Sequence, residues 1–328
     1  MSARPGLLGE LWRGRASRVG LVLVALQLVI ALGADLLASD LPLLARIGGH
    51  LHVAPCLLRP DALAGLDRAG VEGALGPGDW SIATPVGHGP TETRAATAVL
   101  LDAPTRAHWL GTDAVGRDVL ARLLHGTRAA LWVGTFGVAL AVLLGLAVGL
   151  PSGLLGGAVD AVLGVVTEAT VAFPPLLGVL VLQALLDRPS LGTVVVLVGA
   201  LGWTDIARLS RGEARRLRHA PFVRAARALG ASRLRILLVH VLPHALPPVL
   251  VSACLGVGRV LLLESALEFL GFGAPPPTPT WGELLRQAHE HGLRWWLAIP
   301  PGVAIFGSVT AYNLLGEGLR TSLRLGKR

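Results

Sequence analysis

The sequence predicts an all-α polytopic membrane protein with six transmembrane helices. Three observations carry that prediction. Hydrophobic residues make up 52% of the 328-residue chain and charged residues only 15%, with a mean hydropathy of +0.62; a soluble domain carries about 25% charged residues. Apolar runs approaching the about 20 residues that a helix needs to cross a bilayer recur along the chain. The arginines cluster: nine lie between Arg208 and Arg235, with Glu213 the one acid among them. Cytoplasmic loops carry such an excess. The formal net charge of +8 would suggest nucleic acid in a soluble protein. Here the positive-inside bias accounts for it, so the lipid bilayer is the expected surroundings and no nucleic-acid partner is expected. Cys56 and Cys254 lie far apart and imply no disulfide framework.

Residues 1–18 carry Arg4, Arg13, Arg15 and Arg18 against Glu10 and read as a cytoplasmic tail. The first span covers 19–38, where Gln27 and Asp35 alone interrupt the apolar run. That run exceeds the apolar region of a signal peptide, so an uncleaved helix is expected. Residues 39–128 hold eight arginines and nine acidic residues and read as an external loop. Leu41 to Thr105 shows no clear periodicity. His50 and His52, near Cys56, lack a second ligand pair at metal-site spacing, so no metal is expected there. His108 to Ala130 reads as a turn and an amphipathic helix near 115–126, capped by Thr112 or Asp113. Val119, Leu120, Leu123 and Leu124 share its apolar face, with Arg117, Asp118 and Arg122 off it. Such a helix would rest at the membrane surface or cover the outer mouth.

Residues 129–328 form the core. Its spans are expected at about 129–152, 160–186, 190–209, 245–269 and 297–315. A cytoplasmic loop (210–244), an external segment (271–296) and a cytoplasmic tail (316–328) connect and end them. Pro174 and Pro175 should kink or break the third span. An intramembrane Glu168 is costly unless it faces protein or water; lining a pathway and sitting at the inner interface are both open to it. Arg259, Glu264 and Glu268 fall in the fifth span. Glu264 and Glu268 either face a pathway, pair with Arg259, or sit solvated near the interface. The APPPTPTWG start of the external segment favours extended polyproline backbone.

The chemistry of an enzyme is missing. A phosphate-binding loop of the Walker type needs lysine beside Ser or Thr after glycines, and the chain's single lysine is Lys327. HVLPH at 240–244 lacks the glutamate of a zinc protease motif and contains Pro243. His289 and His291 read as members of a solvated segment. No nucleophile, metal or cofactor constellation is found, and no internal repeat of the kind ion-coupled transporters show.

Five stretches then agree in order and topology: HWLGTDAVGRDVLARLLHG (108–126), AFPPLL (172–177), FVRAARALGASRLRILLVHVLPH (222–244), LEFLGFGAPPPTPTWGELL (267–285) and YNLLGEGLR (312–320). From His108 onward the chain resembles the permease subunits of bacterial ATP-binding-cassette importers, closest to the oligopeptide, dipeptide and nickel branch. The resemblance implies the type I importer permease fold in the inner membrane, with both termini cytoplasmic. It also implies the partners: a second, similar permease, two ATP-binding subunits and an external solute-binding protein. No cofactor is implied for this chain, because ATP would be bound by the partners. In the family's cytoplasmic signature the matching positions are Arg224, Ala225, Ala226, Gly230, Leu242 and Pro243, with Arg224 where the general pattern has glutamate. Phe222–Gly230 would then be the coupling helix that enters a cleft of the ATPase. The residues support that role. Ala225, Ala226, Ala228 and Gly230 permit close approach, Phe222 and Leu229 offer an apolar stripe, and Gly230 suits a helix C-terminus. Glu168, Arg259 and Glu264 are the candidates for lining the pathway. The solute is not identified.

Overall fold

The structure, a computed structural model, describes residues 14–63, 65–93, 100–186 and 190–325. Most of the expected N-terminal tail, up to Arg13, and the terminal Lys327 and Arg328 lie outside the described residues. The protein is mostly helical, and five helices are long and apolar enough to cross a membrane, or six if one bent pair counts as a span.

The first is α1 (Arg15–Leu32), followed by the short α2 (Ala34–Leu37). The stretch for which the sequence shows no periodicity then folds into strands β1 (Leu44–Ile47) and β2 (His50–Val53), short helices α3 (Pro55–Leu58) and α4 (Arg68–Gly73), and strand β3 (Trp80–Ile82). The next helix, α5, runs unbroken from Val119 to Leu155. A bent pair follows, α6 (Gly157–Val171) and α7 (Pro175–Ala184), with 78° between them. Then come α8 (Leu191–Leu217), α9 (Pro221–Ala228), α10 (Arg233–Phe269), α11 (Trp281–Glu290) and α12 (Trp295–Leu325).

The expected kink at Pro174–Pro175 is present: neither proline has an N–H to give the ladder, and Pro175 starts a fresh helix. Other expectations are corrected. The surface helix near 115–126 is not separate; its last two turns are the beginning of α5. Neither Thr112 nor Asp113 caps it. Asp118 does, accepting the Ala121 N–H at 2.8 Å. The helices α8, α10 and α12 extend beyond the expected spans. The external segment contains α11, whose start Thr280-Trp-Gly-Glu283 has the spacing of a capping box, with Thr280 accepting the Glu283 N–H at 3.3 Å.

The described residues divide into two compact units. One takes the chain up to Val24, Trp132–Leu263 and the chain from Ser308; the other takes Ala25–Leu131 and Glu264–Gly307. In the first unit, α5 meets α8 along Gly145, Gly149 and Gly153, one per turn. A Cβ on Gly149 would strike the Ala207 carbonyl and the Ser210 hydroxyl, and one on Gly153 the Arg211 carbonyl. Small residues let two backbones touch, as in membrane helix pairs. Ser210 seals the contact by donating to the Gly145 carbonyl at 3.1 Å. The obstructing atoms are largely backbone and cannot rotate away, so Gly149→Val should cost at least the about 1–3 kcal/mol of an overpacked core. Size-exclusion profiles and thermal melts in detergent should show it, while Gly307→Ala, whose added Cβ meets nothing within 4 Å, should melt like the parent.

In the second unit the antiparallel order β2-β1-β3 closes over a small core of Leu41, Cys56, Leu63 and Val71. Burial pushes the Cys56 thiol up from its ordinary range. Gly48 and Gly49, both with positive φ, make the two-residue turn between β1 and β2. The exposed Asp79 carboxylate accepts from the N–H groups of Gly48 (2.9 Å) and Gly76 (3.1 Å), which hold its pKa below the usual value. A lowered folded pKa means the tie is complete above the ordinary carboxylate pKa of about 4 and is lost as pH falls through the folded value. Hydrogen exchange at Gly48 should therefore quicken in Asp79→Ala at pH 7, and should converge with the parent in strong acid once intrinsic rates are corrected.

Candidate functional site

The segment expected from the sequence to couple to an ATPase is built on α9. Pro221 starts the helix at a position where its missing N–H costs nothing. Gly230, at φ +81°, ends it: the Gly230 N–H bonds the Arg227 carbonyl and the Ala231 N–H bonds the Ala226 carbonyl, each at 3.0 Å. This is the Schellman arrangement, which needs a residue tolerant of left-handed backbone.

One face of α9 is buried. Val223 is fully enclosed and Ala226 is 9% exposed. They pack with Leu150 and Leu154 of α5, Ala214 and Leu217 of α8, and Ile236, Val241 and Ala245 of α10 in a single cluster. The helix is thus seated on the ends of three long helices. Its opposite face carries Phe222, Arg224, Ala225, Leu229 and Gly230, all exposed, with Leu229 at 88%. This corrects one expectation: Ala226 belongs to the inner face, not to a small outward one, because the helical period groups it with Val223. Phe222 stacks on the His244 ring with centroids 4.8 Å apart. Leu242 packs on the same cluster, and Pro243 is exposed just after the π-helical turn Ile236–Val241. Pro243 has no N–H to offer the ladder there. Asp160, near the start of α6, takes hydrogen bonds from Ser152 (2.6 Å), Arg211 (2.6 Å) and Arg215, fastening the basic end of α8.

The pathway candidates part company. Arg259 lines a mainly apolar cavity of about 360 Å³ together with Asp205, Val138, Phe173, Leu201 and Leu263. Its partner is Asp205, not the Glu264 or Glu268 that the sequence offered as one alternative. Glu168 lines a separate niche with Arg208 and Arg211. Glu264 is 2% exposed and hydrogen-bonded by the Ser265 hydroxyl, so it lines no open space in this chain. Glu268, also buried, accepts the Ala274 N–H at 2.7 Å and lies where Cβ atoms on Gly273 and Gly282 would fall.

The 108–126 and 267–285 stretches meet in a buried ion cluster within the second unit. The Asp113 carboxylate accepts from the N–H groups of Val115 and Arg117 at 2.9 Å and from Arg117 Nε at 2.7 Å. Arg117 continues to Glu283 Oε1 at 3.1 Å, and Arg122 binds Glu283 Oε2. Gln287 donates to Glu283 at 2.7 Å and accepts the Ala114 N–H at 3.0 Å. Arg122, placed by sequence off the apolar face of a surface helix, is fully buried. Two carboxylates against two guanidiniums leave the cluster neutral, as burial demands.

A multi-pass helical protein with an apolar cavity and a helix seated across three long helices has the architecture of a membrane transport permease. Residues 141–324 match the family described as the binding-protein-dependent transport system inner membrane component, and the chain belongs to that family: it is the permease component of an ATP-binding-cassette importer. It is 44% identical over 218 residues to the dipeptide transport system permease protein of Escherichia coli (strain K12), covering 66% of this chain and 72% of that protein. It is 36% identical over 225 residues to the glutathione transport system permease protein of Pectobacterium atrosepticum, covering 68% and 74%. It is also 36% identical over 228 residues to the probable D,D-dipeptide transport system permease protein of E. coli (strain K12), covering 69% and 76%. In fold it is similar to a chain of the methionine ABC transporter MetNI in inward-facing conformations, with a TM-score of 0.51 and 17% identity over 62% of this chain and 96% of that one.

Proposed function

We propose that this chain forms half of a translocation pathway for a short peptide and is driven through α9 by separate ATPase subunits. The observation that carries the reading is the seat of α9. A push on its exposed face passes through Val223 and Ala226 directly into α5, α8 and α10, and closely packed interiors transmit displacement rather than absorb it. Phe222 and Leu229 supply an apolar stripe for a groove in the ATPase, and Arg224 flanks it. The single lysine at 327 fits a chain that draws ATP energy from partners. The arginine-rich 208–235 stretch supports a cytoplasmic side for α9, and both termini then share that side. A second, different permease completes the pathway, and an external binding protein delivers the solute. The names of the relatives point to the solute class, since they are permeases for dipeptides, D,D-dipeptides and glutathione.

The decisive experiment purifies the assembled complex in lipid and measures ATPase activity with candidate solutes on their binding protein. Short peptides should stimulate hydrolysis, and a complex that responds to none of them but to an unrelated solute would refute the solute class. Arg259 and Asp205 are the charged residues lining a mainly apolar cavity. Arg259→Leu is expected to lower the uptake rate of charged peptides several-fold while leaving assembly intact, and unaltered uptake across a peptide panel would remove both residues from the pathway.

A further inference from the structure

We propose that His88, His108 and Asp118 form a binding site for a divalent transition-metal ion of the zinc class, with Glu92 beside it. Among the described residues, this is the group of three whose ligand atoms all lie within 4.8 Å of one another. It is unrelated to the coupling helix and to the cavity described above.

The three side chains come from separated parts of the second unit. His88 follows β3, His108 sits in the turn before α5, and Asp118 caps α5. The imidazole rings stack with centroids 4.4 Å apart and planes 24° from parallel. Each faces a carboxylate through Nδ1: His108 lies 2.8 Å from Asp118 Oδ2, and His88 lies 3.6 Å from Glu92 Oε2. At His88 this is how metal-bound histidines are held, with one ring nitrogen on a carboxylate while the other is a ligand; at His108 the ion would take the place of the proton between Nδ1 and Asp118 Oδ2. The group is also shielded, with side-chain exposures of 8% for His88 and 1% for Asp118.

Its supports are rigid. Asp118 Oδ1 is committed to the Ala121 N–H, which leaves Oδ2 to turn toward the histidine. The His108 backbone is tied at both ends, donating to Thr105 Oγ1 at 3.1 Å and accepting the Thr105 N–H at 2.8 Å. The 88–92 segment is held by the Gly89 N–H on Glu92 at 3.1 Å and by Arg122 on the Pro90 carbonyl at 3.0 Å. The ligand atoms lie within 4.8 Å of one another, so side-chain rotation would close them round an ion at the about 2.0–2.2 Å that zinc requires.

The donor set selects the ion. Imidazole and carboxylate suit zinc, nickel or copper, whereas calcium and magnesium want oxygen alone. Charge agrees as well: a divalent ion held by two neutral imidazoles balances the carboxylates of Asp118 and Glu92. Once bound, the ion would fasten the segment after β3 to the first turn of α5.

Zinc titration of the purified full-length chain, read by competition with a chromophoric chelator, tests the site. One Zn²⁺ per chain is expected, with affinity falling at least tenfold in His88→Ala and in His108→Ala and unchanged in the His50→Ala/His52→Ala control. Zinc-edge X-ray absorption of the loaded parent should show two imidazole ligands, and this readout stands even where a variant fails to fold. Absence of stoichiometric binding by the parent, undiminished binding by folded His88→Ala, or an oxygen-only zinc shell would each overturn the site.

Discussion

Glu283→Leu is expected to destabilise the second unit by about 3–5 kcal/mol, the cost of breaking a buried ion pair from one side. Glu283 accepts hydrogen bonds from both Arg117 and Arg122. Its loss leaves Asp113 facing two guanidiniums, with Arg122 Nε at 3.5 Å. Arg122→Met should cost less, because Arg117 and Gln287 still satisfy Glu283. The double variant should be more stable than the two single costs summed, because neither residue is then left charged and alone. Thermal melts of the three variants in detergent measure the coupling. Local hydrogen exchange adds location: in Glu283→Leu the amides of α11 should lose protection while those of α8 keep theirs. Additive costs would mean that the cluster is not a unit.

Gly230→Trp should abolish solute uptake without preventing membrane insertion. Two separate physical effects combine. At φ +81° any L-residue is strained, by about 1–2 kcal/mol, which loosens the Schellman end of α9. The indole then projects from the exposed end of the coupling face, beside Leu229, where the ATPase is proposed to dock. Among the described residues a Cβ at this position meets nothing within 4 Å, which leaves room for the new side chain. Gly230→Ala separates the effects, since it carries the strain without the bulk and should keep much of the uptake. Transport in proteoliposomes, with ATPase copurification as the second readout, decides the matter. Uptake by Gly230→Trp at the parent rate would remove α9 from the coupling role, and equal loss in both variants would assign the defect to backbone strain.

How much was legible in the sequence depends on how local each signal is. Pro174–Pro175 announced the bend between α6 and α7, and the Ala-rich stretch with Gly230 announced a short helix with a left-handed end. The Gly48–Gly49 turn and the Thr280–Glu283 spacing were also readable, the first as a hairpin signal and the second as a helix start. Their surroundings hid them, since β1, β2 and β3 are each four residues or fewer and too short to display a period. The burial of Arg122 is not legible locally because the carboxylate it hydrogen-bonds, Glu283, is 161 residues away. The same holds for Arg259 and Asp205, 54 residues apart, and for His88 and His108, which no spacing rule joins.

By itself the sequence determined that this chain lives in a membrane and in what order its long apolar helices follow one another. Those properties follow from composition and from periodicities confined to a few turns. Tertiary structure alone decided that Ala226 lies with Val223 on the buried face of α9, that α5 and α8 touch through glycines, and that four buried charges cancel. Each of these depends on which distant residues share a buried space, where an unmatched charge or an extra methyl costs too much to remain.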